Sequence, residues 1–381
     1  MSLSPSPLRS LWGGHWFKLI CGASYQHLPA IEHLTRVYAL AGADCIDLAA
    51  DPAVIAVARQ TLDTLSEWGD RLGIVVDRPW LMVSVNDGED PHFRKAVFDP
   101  QQCPSDCPRP CVNSCPTQAI VFEAIGLEEN PDLLKTEVFK TGVFKTGVQS
   151  DRCYGCGRCL PVCPLQYIHT QSYVVPAAAL MPQLMDDRGI DALELHTQVG
   201  HESVFKTLWE TIESGLPHLK LLAISCPFAP DVLDYLHWIA ELIDPLPCVL
   251  LWQTDGRPMS GDIGSGTTHT AIRFAQELLR TDLPGFVQLA GGTNAYTVPK
   301  LLSLGLLSRS SLSSSPDLGR KVSGVAYGSY ARKLLEAALE RCPGSDRVED
   351  YTAWLRETVG EAQALVGPLK QGSGQEIGLG I

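Results

Sequence analysis

The sequence lacks most features that assign a function directly. No apolar run reaches the ~18 residues that a bilayer span needs, so no transmembrane segment is expected. The opening "MSLSPSPLRSLWGGHWF" has no continuous apolar core followed by a small-residue cleavage site. No secretory signal is therefore expected, and the expected location is cytoplasmic. Positive charge is in short supply: 30 Lys and Arg face 43 Asp and Glu, a formal net charge of -13. That balance argues against nucleic acid or an anionic membrane as partner. The ten histidines contain no His-x-x-x-His or HExxH spacing, the patterns that place two imidazoles on one helix face. There is no G-x-S-x-G elbow and no Walker loop, which removes the two commonest readable signatures of acyl and phosphoryl chemistry.

Cysteine is plentiful. Of thirteen, eight fall between residues 103 and 163. A reducing compartment disfavours a disulfide framework, so clustered cysteines there point to metal or catalysis. The other five, Cys21, Cys45, Cys226, Cys248 and Cys342, are dispersed among apolar neighbours and read as small buried hydrophobes.

The run "CYGCGRCLPVCP" (153–164) has the spacing C-x2-C-x2-C-x3-C-P, the bacterial ferredoxin pattern for a [4Fe–4S] cube. Two intervening residues let consecutive thiolates converge on one cube. Gly155 and Gly157 let the backbone fold around it and aim N–H groups at sulfur. Zinc is the main competitor, but zinc ribbons pair two C-x2-C units across a long gap. The upstream run "CPSDCPRPCVNSCP" (103–116) spaces four thiols evenly and is ambiguous alone. Pro104, Pro108 and Pro110 exclude one continuous helix carrying all four. In two-cluster ferredoxins the fourth cysteine of each run completes the other run's cluster. That pattern assigns one cube to Cys103, Cys107, Cys111 and Cys163, and the other to Cys153, Cys156, Cys159 and Cys115. One cluster plus spare thiols is the alternative. Arg109, Arg152 and Arg158 lie beside the ligands and can offset cluster charge. Short strand-like pieces follow each Cys-Pro, at 118–123 and 166–173. Between the runs "FKTGV" occurs twice in tandem, at 139–143 and 144–148, too short a repeat for a solenoid. Lys135, Lys140 and Lys145 recur there as a conceivable patch for an acidic partner, against the plainer reading of a lengthened surface loop.

Outside this segment, hydrophobic residues at 45% and charged residues at 19% describe an ordinary globular chain. Eight apolar runs, at 17–23, 44–50, 80–86, 191–197, 219–225, 247–253, 285–290 and 322–328, alternate with segments of helical spacing. Helices are expected over 29–43, from Asp51 as N-cap to 73, and over 176–189, 201–214, 230–243, 267–281, 297–305 and 329–341. Continuous apolar strands alternating with amphipathic helices predict a parallel α/β sheet. Eight such units favour a (β/α)8 barrel over a doubly wound open sheet. The cysteine segment then becomes a ferredoxin-like insertion after strand three, at the C-terminal mouth of the barrel. The expected divisions are 12–98 (first part of the barrel), 99–175 (insertion), 176–345 (second part) and 346–381 (C-terminal helix and flexible tail).

Glycine turns after strands seven and eight make Gly291, Gly292 and Gly328 candidates for a phosphate or flavin site, or simply permit tight turns. The loop "GDIGSGTTHT" (261–270), with His269, matches no phosphate motif. It is expected to be a mouth loop that caps its helix through Thr267 or Thr268. Asp47, Asn86, Glu194, His196, Gln253 and Asp255 fall at or near strand ends, where they can line a pocket at the mouth. No catalytic set emerges from them.

The paired cysteine runs, with the flanks "AGADCIDLAADPAVI" and "LWQTDGRPMSGDIGSGTTHTAIRFAQELL", resemble the cyanobacterial light-dependent period (LdpA) family, iron–sulfur proteins of circadian clock input. The resemblance runs from about residue 12 to about 366, and the FKTGV duplication departs from it. It implies a protein that senses cellular redox state, a proxy for light, and acts through regulatory partners of the clock input pathway. An oxidoreductase, with clusters passing electrons to a flavin or substrate at the barrel mouth, is the alternative.

Overall fold

The computed structural model describes residues 7–122, 147–172, 174–186, 189–256, 264–307, 321–343 and 347–370. The eight apolar runs all become strands: β1 (Trp16–Ile20), β2 (Cys45–Ala49), β3 (Trp80–Asn86), β8 (Ala192–His196), β9 (Leu221–Pro227), β10 (Val249–Asp255), β11 (Phe286–Ala290) and β12 (Gly324–Tyr327). All pair in parallel, and the sheet closes as β1-β2-β3-β8-β9-β10-β11-β12 and back to β1. Strands covered on both faces have no polar side to show, which is why they read as unbroken apolar runs. The barrel closes tightly. A Cβ on Gly324 would lie 2.0 Å from the Trp16 carbonyl oxygen, so β12 can approach β1 only because that position is glycine.

Helices cover the outside, and their buried faces join the outer surfaces of the strands in one apolar cluster that includes Phe17, Leu19, Leu48, Val83, Leu195 and Tyr327. A second cluster plugs the barrel floor with Trp16, Trp80, Met82, Leu221, Leu251 and Leu11, the last from an N-terminal helix at Pro7–Gly13. The long helix Val348–Lys370 seals the same end. Lys370 pairs with Asp44, and the Leu369 carbonyl lies 3.0 Å from His15 Nδ1.

Three helices differ from expectation. The segment after Asp51 caps as predicted, Asp51 Oδ1 accepting from the Ala53 N–H at 2.8 Å and the Val54 N–H at 3.2 Å. It then breaks at Thr64 into Pro52–Asp63 and Leu65–Leu72. The helix expected over 176–189 is a 3-10 turn, Ala177–Leu180, followed by one α-turn, Met181–Leu184, because Pro182 withholds the donor that would continue the first turn; residues 187–188 lie outside the described residues. Thr268 occupies the cap position of His269–Leu278 without a side-chain cap bond; a 3-10 turn, Ser265–Thr268, leads in instead.

Between β3 and Ala177 the chain leaves the barrel as a small lobe. Two antiparallel pairs organise it: β4 (Arg94–Val97) with β7 (His169–Ser172), and β5 (Ile120–Val121) with β6 (Gly147–Val148). Two short helices, Pro110–Ser114 and Cys159–Val162, carry cysteines. Proline thus prevents a single helix across the first run, yet Pro110 starts a short one at the position where its missing N–H costs nothing. Lys135, Lys140, Lys145 and the tandem repeat up to residue 146 lie outside the described residues, as do 371–381. No helix among the described residues is long and apolar enough to cross a membrane.

Candidate metal centre

The eight clustered thiols fall into two groups that cross the runs. Cys115, from the first run, lines the same small cavity as Cys153, Cys156 and Cys159. Burial pushes the Cys159 thiol up to about 12, and the charges of Cys156, Cys153 and Cys115 add to the effect. Cys156 is raised by burial too, with Cys115 and Cys153 contributing and Arg158 opposing. In the other group burial raises Cys111, with Cys163 and Cys107 pushing the same way. Burial, then the hydrogen bond and charge of Cys107, raise Cys103, with Cys111 adding and Arg109 opposing. Thiolates that crowd and repel one another in this way suit a shared cation.

The backbone supplies the other half of a cluster site. Gly155 (φ 71°) and Gly157 (φ 75°) are left-handed, so the chain wraps the cavity as only glycine does cheaply. Ala96 N–H donates to Cys153 Sγ at 3.4 Å, and Ala119 N–H to Cys115 Sγ at 3.2 Å. Against burial, the N–H groups of Leu165, Tyr167, Ile168 and Gln166 hold Cys163 below the usual thiol range. The Cys-Pro that ends each run is followed by a left-handed glutamine at the same offset, Gln118 (φ 49°) after Cys115 and Gln166 (φ 54°) after Cys163. Each closes a turn on its cysteine's carbonyl, at 3.2 and 3.1 Å. Non-glycine residues enter that region at a cost, here with the result that amides fold back onto sulfur. The repeated Cys-Pro-x-Gln of both runs is the sequence signal for this pair of turns. Donor chemistry, cavity and N–H–sulfur bonds all fit an iron–sulfur group.

The lobe is tied to the barrel through Tyr154. Arg332 stacks over its ring at 4.1 Å and donates from Nη1 to the Ile20 carbonyl of β1 at 2.6 Å. Arg109 stacks on Phe122 at 4.1 Å. Arg152 lines, with Tyr154, Arg332 and Pro116, a cleft between lobe and barrel.

Two of the candidate phosphate glycines lie in the turn after β11 and the third follows β12. Gly291 (φ 68°) and Gly292 (φ 83°) are left-handed, and a Cβ on Gly292 would lie 2.5 Å from the Thr267 carbonyl oxygen. Thr267 Oγ1 donates to the Gly292 carbonyl at 2.6 Å, and Asn294 Nδ2 to Thr267 Oγ1 at 3.1 Å. Gly328 precedes helix Ser329–Glu340, against Ile20 and Arg332.

Inside the barrel lies a polar layer whose key residue went unremarked in the sequence. Lys18, fully buried on β1, pairs with Glu194 and with Asp47 Oδ2 at 3.2 Å. Ser84 donates to Asp47 at 2.6 Å. Trp16 donates to Gln288, Gln288 to Gln253 and Gln253 to Glu194, at 2.9, 2.7 and 2.6 Å. Five of the six strand-end residues therefore converge, Asp47, Glu194, Gln253, His196 and Asp255, the last two through contacts with Glu194 and His92. Asn86 turns instead to the Gly88 carbonyl at 2.5 Å. The readable signal for Lys18 was a lone charge in "WFKLI".

Comparison with known proteins agrees with the two-part architecture. Residues 103–174 match the family described as LdpA Fe-S cluster-binding domain, and residues 184–368 the Light dependent period A C-terminal domain. Light dependent period A from Synechococcus elongatus is 52% identical over 369 residues, covering 97% of this chain and 95% of that protein. Tryptophan synthase from Mycobacterium tuberculosis covers 95% of this chain and 98% of its own at 11% identity, with a TM-score of 0.39, a likeness too slight to argue from. The barrel rests on its own strand pairing. With half of its residues shared along nearly its whole length, the chain belongs to the light dependent period A family, whose members carry an iron–sulfur-binding domain.

Proposed function

We propose that this chain is a redox-sensing, electron-carrying iron–sulfur protein that reports cellular redox state, and through it light, to the circadian clock by way of partner proteins. The carrying observation is the crosswise grouping of thiols on a lobe bonded to the barrel. In this reading Cys103, Cys107, Cys111 and Cys163 hold one [4Fe–4S] cube, and Cys153, Cys156, Cys159 and Cys115 the other. Such a cube, when bound, supplies one-electron exchange at a potential set by its surroundings. The chain's part is to hold the thiolates, to donate N–H groups from Ala96 and Ala119, and to place Arg109 and Arg158 near the charge. A change of charge beside Cys153 and Cys156 reaches Tyr154, then Arg332, then the start of helix Ser329–Glu340. That helix is the element expected to pass the signal to a partner.

The test is hydrogen exchange on the anaerobic, cluster-loaded protein, oxidised and dithionite-reduced. Reduction should change exchange in the first turns of Ser329–Glu340, and Arg332→Gln should abolish the difference. Identical exchange in both redox states of the unsubstituted chain would contradict the sensing role. The oxidoreductase alternative draws support from the buried Lys18 layer; stoichiometric flavin released on denaturation would favour it.

A further inference from the structure

At the barrel mouth, above the Lys18 layer, three side chains converge that the cluster does not use. Asp90 follows β3, His92 lies in the 3-10 turn Pro91–Phe93, and His196 ends β8. One ligand atom from each lies within 4.8 Å of the other two. We infer that Asp90, His92 and His196 form a mononuclear site for a divalent transition metal of the zinc or ferrous-iron class, separate from the cluster thiols.

The orientation of the two imidazoles is the main support. His92 Nε2 lies 3.1 Å from Asp255 Oδ2, and His196 Nε2 lies 2.9 Å from Glu194 Oε1. Each ring thus engages a carboxylate with its far nitrogen and turns Nδ1 towards Asp90. Metal-binding histidines are held in this way, the outer carboxylate fixing tautomer and raising basicity. His92 Nδ1 is 2.9 Å from Asp90 Oδ1, and His196 Nδ1 is 3.6 Å from Asp90 Oδ2. Two ligands each ~2.1 Å from one ion sit about 3.0 to 3.4 Å apart, so small adjustments bring all three to bonding distance.

The positions are built rather than incidental. Asp90 Oδ1 accepts the His92 backbone N–H at 2.6 Å, which fixes the turn. Phe93 is fully buried and meets the His196 ring edge-on at 5.2 Å between centroids. Charge argues for a cation as well. Asp47 and Glu194 are buried against the Lys18 ammonium, and Asp90 and Asp255 are buried beside His92, so a cation placed here meets several carboxylates. The His92 side chain is 24% exposed, which leaves an entry path from solvent. Two imidazoles and one carboxylate suit zinc or ferrous iron better than calcium or magnesium, which take oxygen ligands.

A proton on His92 is the competing occupant. Burial lowers its pKa, but the carboxylates of Asp255 and Asp90 outweigh burial and raise it. A doubly protonated ring would offer no lone pair to a metal. The site is also joined to the lobe: His92 and Phe93 lead directly into β4, where Ala96 N–H meets Cys153 Sγ.

The experiment loads the anaerobically purified, cluster-containing full chain with Zn(II), removes excess, and measures zinc and iron per chain by mass spectrometry. About one zinc per chain should be retained with cluster iron unchanged. His196→Asn and Asp90→Asn should each weaken zinc binding at least ~10-fold while keeping their iron. Zinc-edge X-ray absorption of the unsubstituted protein decides the matter even where a variant folds poorly: nitrogen and oxygen neighbours support the site. Sulfur neighbours, no retained zinc, or equal affinity in folded variants would overturn it. Iron content reports the cluster reading separately, so the two can fail independently.

Discussion

The barrel and the cysteine lobe both hold charge away from water, but on different foundations. In the barrel, Lys18 and its carboxylates are set into strands already fixed by a large apolar core. Among the described residues of the lobe, the buried cluster holds Ala96, Ala119, Ile120 and Ile168 together with Cys111, Cys153 and Cys159. Four small or medium apolar residues bury little area, at ~25 cal/mol per Å2. The barrel's charges sit in a frame with its own apolar core, whereas the lobe is expected to depend on what its thiols bind. The difference follows from core size: metal binding becomes folding energy where the described apolar core is small.

The comparison breaks first under iron removal. Anaerobic chelation should strip β4, β5 and β7 of most of their amide protection, a loss of several kcal/mol in local stability. The barrel strands should keep theirs in the same hydrogen-exchange run. Next comes ligand exchange between the runs. Cys115→Ser should remove about half of the iron, and the spectrum it loses should be the one lost in Cys153→Ser, not in Cys111→Ser. In the barrel, Lys18→Met leaves Asp47 and Glu194 buried without their counter-ion and should cost ~3–5 kcal/mol in urea unfolding. Cluster absorbance should be unchanged. The smallest effect is at the join: Arg332→Gln removes the stack on Tyr154 and should cost ~0.5–2 kcal/mol, read as greater protease sensitivity between lobe and barrel.

The same contrast explains what could be read in the sequence. Barrel strands buried on both faces announce themselves as apolar runs, so all eight were located, from "FKLICGA" to "VSGVAYG". Ferredoxin spacing is a local geometric requirement, so the second run shows in the sequence as a candidate iron–sulfur ligand set. Long-range polar convergence was not. Lys18, Asp47 and Glu194 are joined only by barrel closure, and His92 meets His196 across more than a hundred residues. Pairs such as β4 with β7 are hidden for the same reason, since a four-residue strand of mixed polarity has no periodicity to detect. The broken helix after Ala177 is legible through Pro182, which weighs more than the apolar spacing around it.

The most direct measurement is a quantitative iron and acid-labile sulfide count on anaerobically purified protein, with EPR after dithionite reduction. The account predicts about eight irons and eight sulfides per chain, and two reduced-cube signals. About four irons and one signal, or zinc in place of iron, would contradict it.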